Sequence, residues 1–445
     1  MTSTRRIALF WILLSTGISI LWGSYIGQTG NGWVDFRAVY YGTRCLLENH
    51  NPYNVKELET AYRADGGERP SETVQAHQAV VLYVNVPTTF LVIAPFALLP
   101  WGPAHILWMI ATSGFFILAA CMMWDIGAKY SPSVSLFLIC LLLIDCESIF
   151  VAGNTAGIVV SLCIVAAWCF LENRFVALGI LSMAIALAVK PHDSGLVWLF
   201  FLLSRAPLRK RALQSLLVTA VLGIAAFLWL SHVAPHWIED WQSNLATISA
   251  PGGINEPGPN SLTGHSSSMV IDLQAAISII RDDPRVYNPL SYLVCGTLFL
   301  LWAVRTLQPR FTRPGALLAL AAVTALTMLV TYHRPWDAKL LLLTVPACAM
   351  LWAEGGWTGR TAMILTTAGL VLTGDIPLVI LVVLWRKLHV STMGFAGQAL
   401  TLLMLRPASL ILLAMAIFYL WIYLRRANLE TETSPNGVVT SAGAH

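Results

Sequence analysis

Charge is what this sequence has least of. Only 11% of its 445 residues are Asp, Glu, Lys or Arg, while 57% are hydrophobic. A soluble domain is about a quarter charged. No acid occurs before Asp35. No run of short alternating strands is present, which excludes a membrane β-barrel. The cysteines show neither zinc spacing nor a disulfide framework. Of the eight, only Cys45 falls in a long loop; the rest sit in or beside apolar runs as small hydrophobes. No basic patch interleaved with aromatics appears, so nucleic acid is not an expected partner. The glycines are too irregular for a nucleotide-binding loop. A small-residue cleavage pattern after the first apolar run is also missing, so that run reads as an uncleaved helix.

Long apolar stretches fill the space these absences leave. A bilayer-spanning helix needs about 20 apolar residues. Candidate spans are 7–27, 80–99, 103–124, 132–150, 154–171, 174–189, 192–204, 211–231, 289–307, 313–332, 338–353, 360–384 and 407–424. The chain is therefore expected to be all-α and polytopic, a single transmembrane domain over 1–427 with a disordered cytoplasmic tail over 428–445. Loops 28–79 and 232–288 are the long polar connections.

Arginine and lysine collect on the cytoplasmic side of membrane proteins. Arg5 and Arg6 put the N-terminus inside. Clusters at Arg205–Arg211, Arg305–Arg313 and Arg425-Arg426 also belong inside. The two requirements disagree by one crossing, so one segment between 80 and 204 does not cross fully. The candidates are 132–150, interrupted by Asp145 and Glu147, and the proline-containing 80–99. About twelve crossings remain, with loops 28–79 and 232–288 on the outer side. Two outer stretches, 35–48 and 236–248, carry apolar residues at helical spacing and are expected to lie on the interface. Asp35 is placed as the N-cap of the first.

The outer side also collects the polar residues. Asp35 is a general-base candidate as well as a cap. Lys190 ends an apolar helix, followed by Pro191, His192 and Asp193. It either snorkels to the interface or meets an anion such as a phosphate. His333, Arg334 and Asp337 crowd one short turn; Arg334 and Asp337 either pair with each other or, with His333, grip a phosphate. Arg37, Tyr40, Tyr41, His77, Gln78, Asn154, Asn260 and His265 are further substrate-binding candidates. The Gly/Pro/Ser-rich stretch 250–268 suits a loop that closes over substrate. An acid and separated cations at a membrane face fit a lipid-phosphate donor. A lipid or solute transporter is the competing reading, but its ionisable groups would sit at the midplane between inverted repeats. A non-catalytic envelope scaffold would leave Asp35 dispensable.

Asp35-Phe36, Tyr40-Tyr41, Leu46-Leu47 and Asn51-Pro52-Tyr53 together resemble the first-loop signature of glycosyltransferase family 87. Tyr83, Pro87, Pro95 and Pro100, then Gly153-Asn154, Lys190-Pro191 and Asn260-Ser261-Leu262, are similar to its later segments in the same order. The resemblance spans about 30 to 340. It implies the GT-C fold and inverting transfer of a sugar, mannose in much of the family, from a polyprenyl phosphate to a hydroxyl of a glycolipid or glycan. Asp35 would act as base, and Lys190, His333 and Arg334 would hold the donor phosphate. A bacterial inner membrane with the active site facing the periplasm is implied too. The first loop has no adjacent pair of acids, so neither metal nor cofactor is expected.

Overall fold

The computed structural model describes residues 3–28, 31–67, 72–266, 269–308, 312–388 and 394–432, with only the backbone given for 427–432. All regular structure among them is helical. Six helices are long and apolar enough to cross a membrane by length and composition: Ser3–Ile26, Trp101–Gly127, Leu208–Val233, Pro284–Leu307, Arg313–Val330 and Pro407–Arg426. The chain is an integral membrane protein. Several other expected spans are shorter helices of 10–17 residues, including Pro132–Ile144, Ala156–Leu171 and Val176–Val189. Length alone therefore does not yield twelve crossings. Helix Gly394–Leu405 has no counterpart in the sequence-based spans. The last helix runs on to Glu432, past the expected start of the tail, and 433–445 lie outside the described residues.

The interrupted segments break where polar groups find partners. The stretch 132–150 splits at Asp145 into Pro132–Ile144 and Glu147–Ala152. The stretch 360–384 belongs to two helices, Gly356–Leu372 and Asp375–Lys387, bent by 69°. The two breaks cap each other. Asp145 Oδ1 accepts from the Ile376 N–H and Asp375 Oδ2 from the Ser148 N–H, each at 2.8 Å. These bonds satisfy donors that a helix start leaves open. Lys339 Nζ donates to the Asp145 carbonyl at 2.7 Å, so this lysine serves the break. A Cβ on Gly374 would sit 1.7 Å from Asp145 Oδ2, which leaves glycine as the residue that fits.

The stretch 80–99 also breaks, after Val81, and resumes as Thr88–Ala97. Ten helical residues reach about 15 Å, half the hydrocarbon thickness. The Thr88 hydroxyl donates to the Ala188 carbonyl, and the Leu99 carbonyl accepts from Tyr40 at 2.8 Å. Both ends of this short helix are thus tied to neighbouring elements, Val34–Leu47 and the end of Val176–Val189. It is one of the two segments singled out by the charge argument.

Ion pairs gather the other helix ends together. Arg5 meets Asp125 at 3.2 Å, Lys129 and Arg313 both meet Glu172, and Arg426 meets Glu354. Asn154, Lys190 and His333 lie at the opposite ends of the helices that carry Glu172, Arg174 and Arg313.

Helix Val34–Leu47 departs from expectation in two ways. Residues Phe36–Thr43 are all buried, so it is packed inside the protein and not laid on an interface. Phe36 stacks on Trp108 with centroids 4.9 Å apart. The N-cap is Trp33, with φ 64° and no side-chain cap bond; Asp35 lies in the first turn, its carboxylate turned to a partner elsewhere. Helix Trp237–Ser249 does present one face to protein. Its Asn244 donates to the carbonyls of Tyr53 and Tyr83 at 2.9 and 3.1 Å, and Ile238, Gln242 and Thr247 remain exposed.

Candidate active site

Four chain breaks meet at one point. The first is the start of helix Val34–Leu47, where the Trp33 N–H donates to the Val151 carbonyl at 2.6 Å. The second is the turn Gly153-Asn154. Gly153 has φ +65°, and a Cβ there would lie 2.7 Å from Phe36 Cβ. Its carbonyl accepts from Trp108 Nε1 at 2.9 Å. The third is Lys190, between Val176–Val189 and Pro191–Leu203, where Pro191 starts the new helix without needing a donor. The fourth is Thr331–Trp336, ahead of the 3-10 helix Asp337–Thr344.

Side chains from these breaks form one connected network. Asn154 Nδ2 donates to Asp35 Oδ2 at 2.7 Å. Asn154 Oδ1 accepts from the Ala156 N–H at 2.7 Å and from Lys190 Nζ at 3.2 Å. Two donors on that side fix the orientation of the amide, so its NH2 must face Asp35. Lys190 Nζ also donates to Asp337 Oδ1 at 2.7 Å and lies 3.7 Å from Asp193. Asp193 Oδ1 lies 3.4 Å from Nε2 of both His192 and His333. Those contacts are ionic in distance, while neither ring nitrogen makes a well-aligned hydrogen bond. Asp337 Oδ2 accepts the Arg334 backbone N–H at 2.8 Å. Arg334 Nε donates to the Tyr332 hydroxyl at 2.6 Å, and Nη2 to the Ile254 carbonyl and Asn255 Oδ1 at 2.9 and 3.1 Å.

Asp35 keeps part of its surface accessible, whereas Lys190, Asp193, His333, Arg334 and Asp337 are buried. The packing around its carboxyl raises the Asp35 pKa, against the Asn154 hydrogen bond and the charges of Arg334 and Lys190. Burial presses the His333 imidazole toward neutrality, but the facing Asp193 outweighs it and the net shift is upward. Three carboxylates face two fixed cations and two imidazoles.

Of the sequence-derived candidates, the fold brings together Asp35, Asn154, Lys190, His192, His333 and Arg334. It adds Asp193 and Asp337, whose positions in the Lys190 and His333 clusters were the available signal, and Tyr332 and Asn255, for which spacing gives none. The other candidates lie elsewhere. Arg37 is buried and bridges Glu72 and Tyr62 at 2.5 and 2.6 Å. Tyr40 binds the Leu99 carbonyl and accepts from Arg44, and Tyr41 packs between Tyr62 and Trp101. His77 lies 3.3–3.4 Å from Glu59 and Glu72, and Gln78 is exposed beside it. Asn260 is exposed and reaches Asp282 at 3.4 Å. His265 stacks on Trp385, centroids 4.7 Å apart. Arg37 and His77 thus serve the architecture of the first loop, and His265 joins the second loop to the bent helix pair. Among the described residues no cluster of three or more His, Cys, Asp or Glu could hold a metal ion.

The Gly153 turn carries a testable consequence. Gly153→Ala combines an unfavourable positive φ with a clash against Phe36, at a cost of about 1–3 kcal/mol. It also shifts Asn154 relative to Asp35. The variant is expected to melt several degrees lower in detergent while still purifying as a folded protein.

The sequence model of glycosyltransferase family 87 matches residues 83–332. Among curated proteins and among solved structures, none matches the chain. The matched segment contains Asn154, Lys190 and His192, and ends at Tyr332, beside His333.

Proposed function

The chain belongs to glycosyltransferase family 87, and from that premise we propose that it transfers a hexose, mannose by family resemblance, from a polyprenyl phosphate to a hydroxyl of a glycolipid or glycan, with inversion. The observation that carries this reading is the single network joining a partly accessible Asp35 to Lys190 through Asn154. It supplies a base and a cation a fixed distance apart, with Arg334 and the two imidazoles behind.

In this mechanism Asp35 takes the proton of the acceptor hydroxyl. The oxygen attacks the sugar C1 as the C1–O bond to phosphate breaks on the opposite face. The departing phosphate keeps the bonding pair, and Lys190, His333 and Arg334 stabilise its charge. Such fixed electrostatic stabilisation is often the largest catalytic contribution. Arg334 is held by Ile254 and Asn255, which supports a covering role for the described part of the loop 250–268, residues 250–266. Loops 28–79 and 232–288 then share the outer, periplasmic side of a bacterial inner membrane. The paired arginine ends are inside, and the bundle crosses about twelve times.

The test is the purified full chain in vesicles with radiolabelled polyprenyl-phosphate mannose and a membrane lipid extract. Label is expected to appear in a new glycolipid with the opposite anomeric configuration. Transfer from a nucleotide sugar but from no polyprenyl-phosphate sugar would sink the donor assignment.

A further inference from the structure

Lys190, Arg334, His192 and His333 can all carry positive charge in the network joined to Asp35, but they are not equally free to meet an anion. Lys190 is buried, and its ammonium faces Asn154, Asp337 and Asp193. An ammonium has three donors, so Lys190 offers none without giving up a partner. His333 is fully buried. Its Nδ1 lies 2.8 Å from the Thr331 carbonyl, and its Nε2 faces Asp193. A carbonyl and an ionised carboxylate only accept, so both ring nitrogens hold protons that point at protein. His333 is therefore a fixed imidazolium that acts on the site through charge alone. Arg334 is buried too, with Nε and Nη2 committed to Tyr332, Ile254 and Asn255.

His192 differs from all three. Its side chain is 33% exposed. Nε2 is buried and turned to Asp193 Oδ1 at 3.4 Å, while Nδ1 makes no hydrogen bond to a described residue and is not among the buried atoms. The ring centre lies 5.4 Å from that of His333 and 6.5 Å from that of Tyr332, whose hydroxyl Arg334 holds. The ring thus packs between the Lys190 helix break and the turn that carries Arg334. Asp193 completes the arrangement. It is fully buried, and neither of its oxygens has a well-aligned hydrogen bond. A buried carboxylate needs charged partners, and those here are Lys190 and the two imidazoles. A carboxylate at Nε2 fixes the neutral His192 ring with its proton on that nitrogen. Nδ1 then carries a lone pair, which repels a phosphate oxygen. Protonation turns the same nitrogen into an outward donor.

We propose that His192 meets the lipid phosphate directly, as an imidazolium donating from Nδ1, and that Asp193 is the positioning residue that holds its Nε2. This rests on the reading of the site as one for polyprenyl phosphate. Binding then takes up a proton: a neutral ring, a proton from water and a phosphate dianion become an imidazolium–phosphate pair. Asp193 and Asp337 favour that charge, Lys190 and His333 oppose it, and Tyr332 packs against the ring.

The test is calorimetric titration of the full chain in detergent with farnesyl phosphate, in buffers of different ionisation enthalpy. At about pH 8 a phosphate monoester has already lost its second proton, so any uptake belongs to the protein. Wild type is expected to take up between about half a proton and one per lipid, since an ordinary imidazole is neutral there before binding. His192→Gln should bind about tenfold or more weakly, the loss of one charge-assisted hydrogen bond, and without uptake. Asp193→Asn should lose most of the uptake. Melting within a few degrees of wild type establishes that each variant is folded, and His192→Gln decides alone if Asp193→Asn does not fold. Inorganic phosphate should bind more weakly than farnesyl phosphate, having no chain to bury; equal binding would overturn the lipid assignment. Wild-type binding without proton uptake overturns the inference, as does undiminished uptake in folded His192→Gln. Absent binding overturns it too. Whether the reading of the site falls with it is decided separately, by transfer from polyprenyl-phosphate mannose in vesicles.

Discussion

Asp35→Asn is expected to lower sugar transfer by about 10²–10⁴-fold, the range that a positioned general base contributes, while leaving the protein folded. Asparagine keeps the shape of the side chain and removes a charge whose surroundings disfavour it, so melting in detergent should hold steady or rise. The pH dependence separates a base from a structural acid. Asp35 accepts a proton only when ionised, and its folded pKa is raised. The rate should therefore climb with pH along a limb lying above the ordinary aspartate value of about 3.9. Asn154→Ala removes a hydrogen bond that lowers the Asp35 pKa, so the same limb should move to still higher pH. A limb that stays put or moves down would show that Asp35 is not the titrating base. Stability runs the other way. A carboxyl that binds its proton more tightly when folded contributes fully below its unfolded pKa, and that contribution is lost as pH rises through the folded value.

Lys190→Met is expected to lose about 10²–10³-fold in transfer, the scale of one removed charge-stabilising donor. It should also destabilise the fold by about 3–5 kcal/mol, because Asp337 is left buried without its cation. Asp193, 3.7 Å from the same ammonium, adds to the imbalance. The double variant Lys190→Met/Asp337→Asn removes both members of the shorter pair. It should recover much of the stability and none of the activity. Melting and initial rates on the same preparations decide the matter. Recovery of transfer in the double variant would reduce Lys190 to a counter-ion for Asp337.

The two residues differ in how plainly sequence announces them. Asp35 is the first acid in a chain poor in charge, placed just after the first apolar run. Lys190 interrupts an apolar region with a Lys-Pro step, a costly residue at a helix break. Such exceptions are conspicuous because the bilayer excludes them elsewhere. Asn154 stands in the sequence as a polar candidate after a glycine, in a segment resembling the family's. Its role depends on a contact with Asp35 across 119 positions, and no local pattern encodes that. Arg37 and His77 illustrate the same dependence on packing. They are ionisable, near Asp35 in sequence, and on the expected side, yet Glu72 and Glu59 engage them.

By itself the sequence determined that the chain is helical and lives in a membrane, because so few charges and so many long apolar runs leave no other solvent for it. Charge placement adds the expectation that one segment between 80 and 204 does not cross fully, since each crossing changes the side on which the next arginines lie. Tertiary structure alone decided where the ends of the short helices find partners. Thr88–Ala97 has both ends tied to carbonyl or hydroxyl partners. It alone decided that Asp145 and Asp375 cap each other's helices. Above all, it decided which polar side chains share a site. Hydropathy reports the depth of a residue in the bilayer, whereas hydrogen bonding depends on distances of about 3 Å, which are set only when the helices pack.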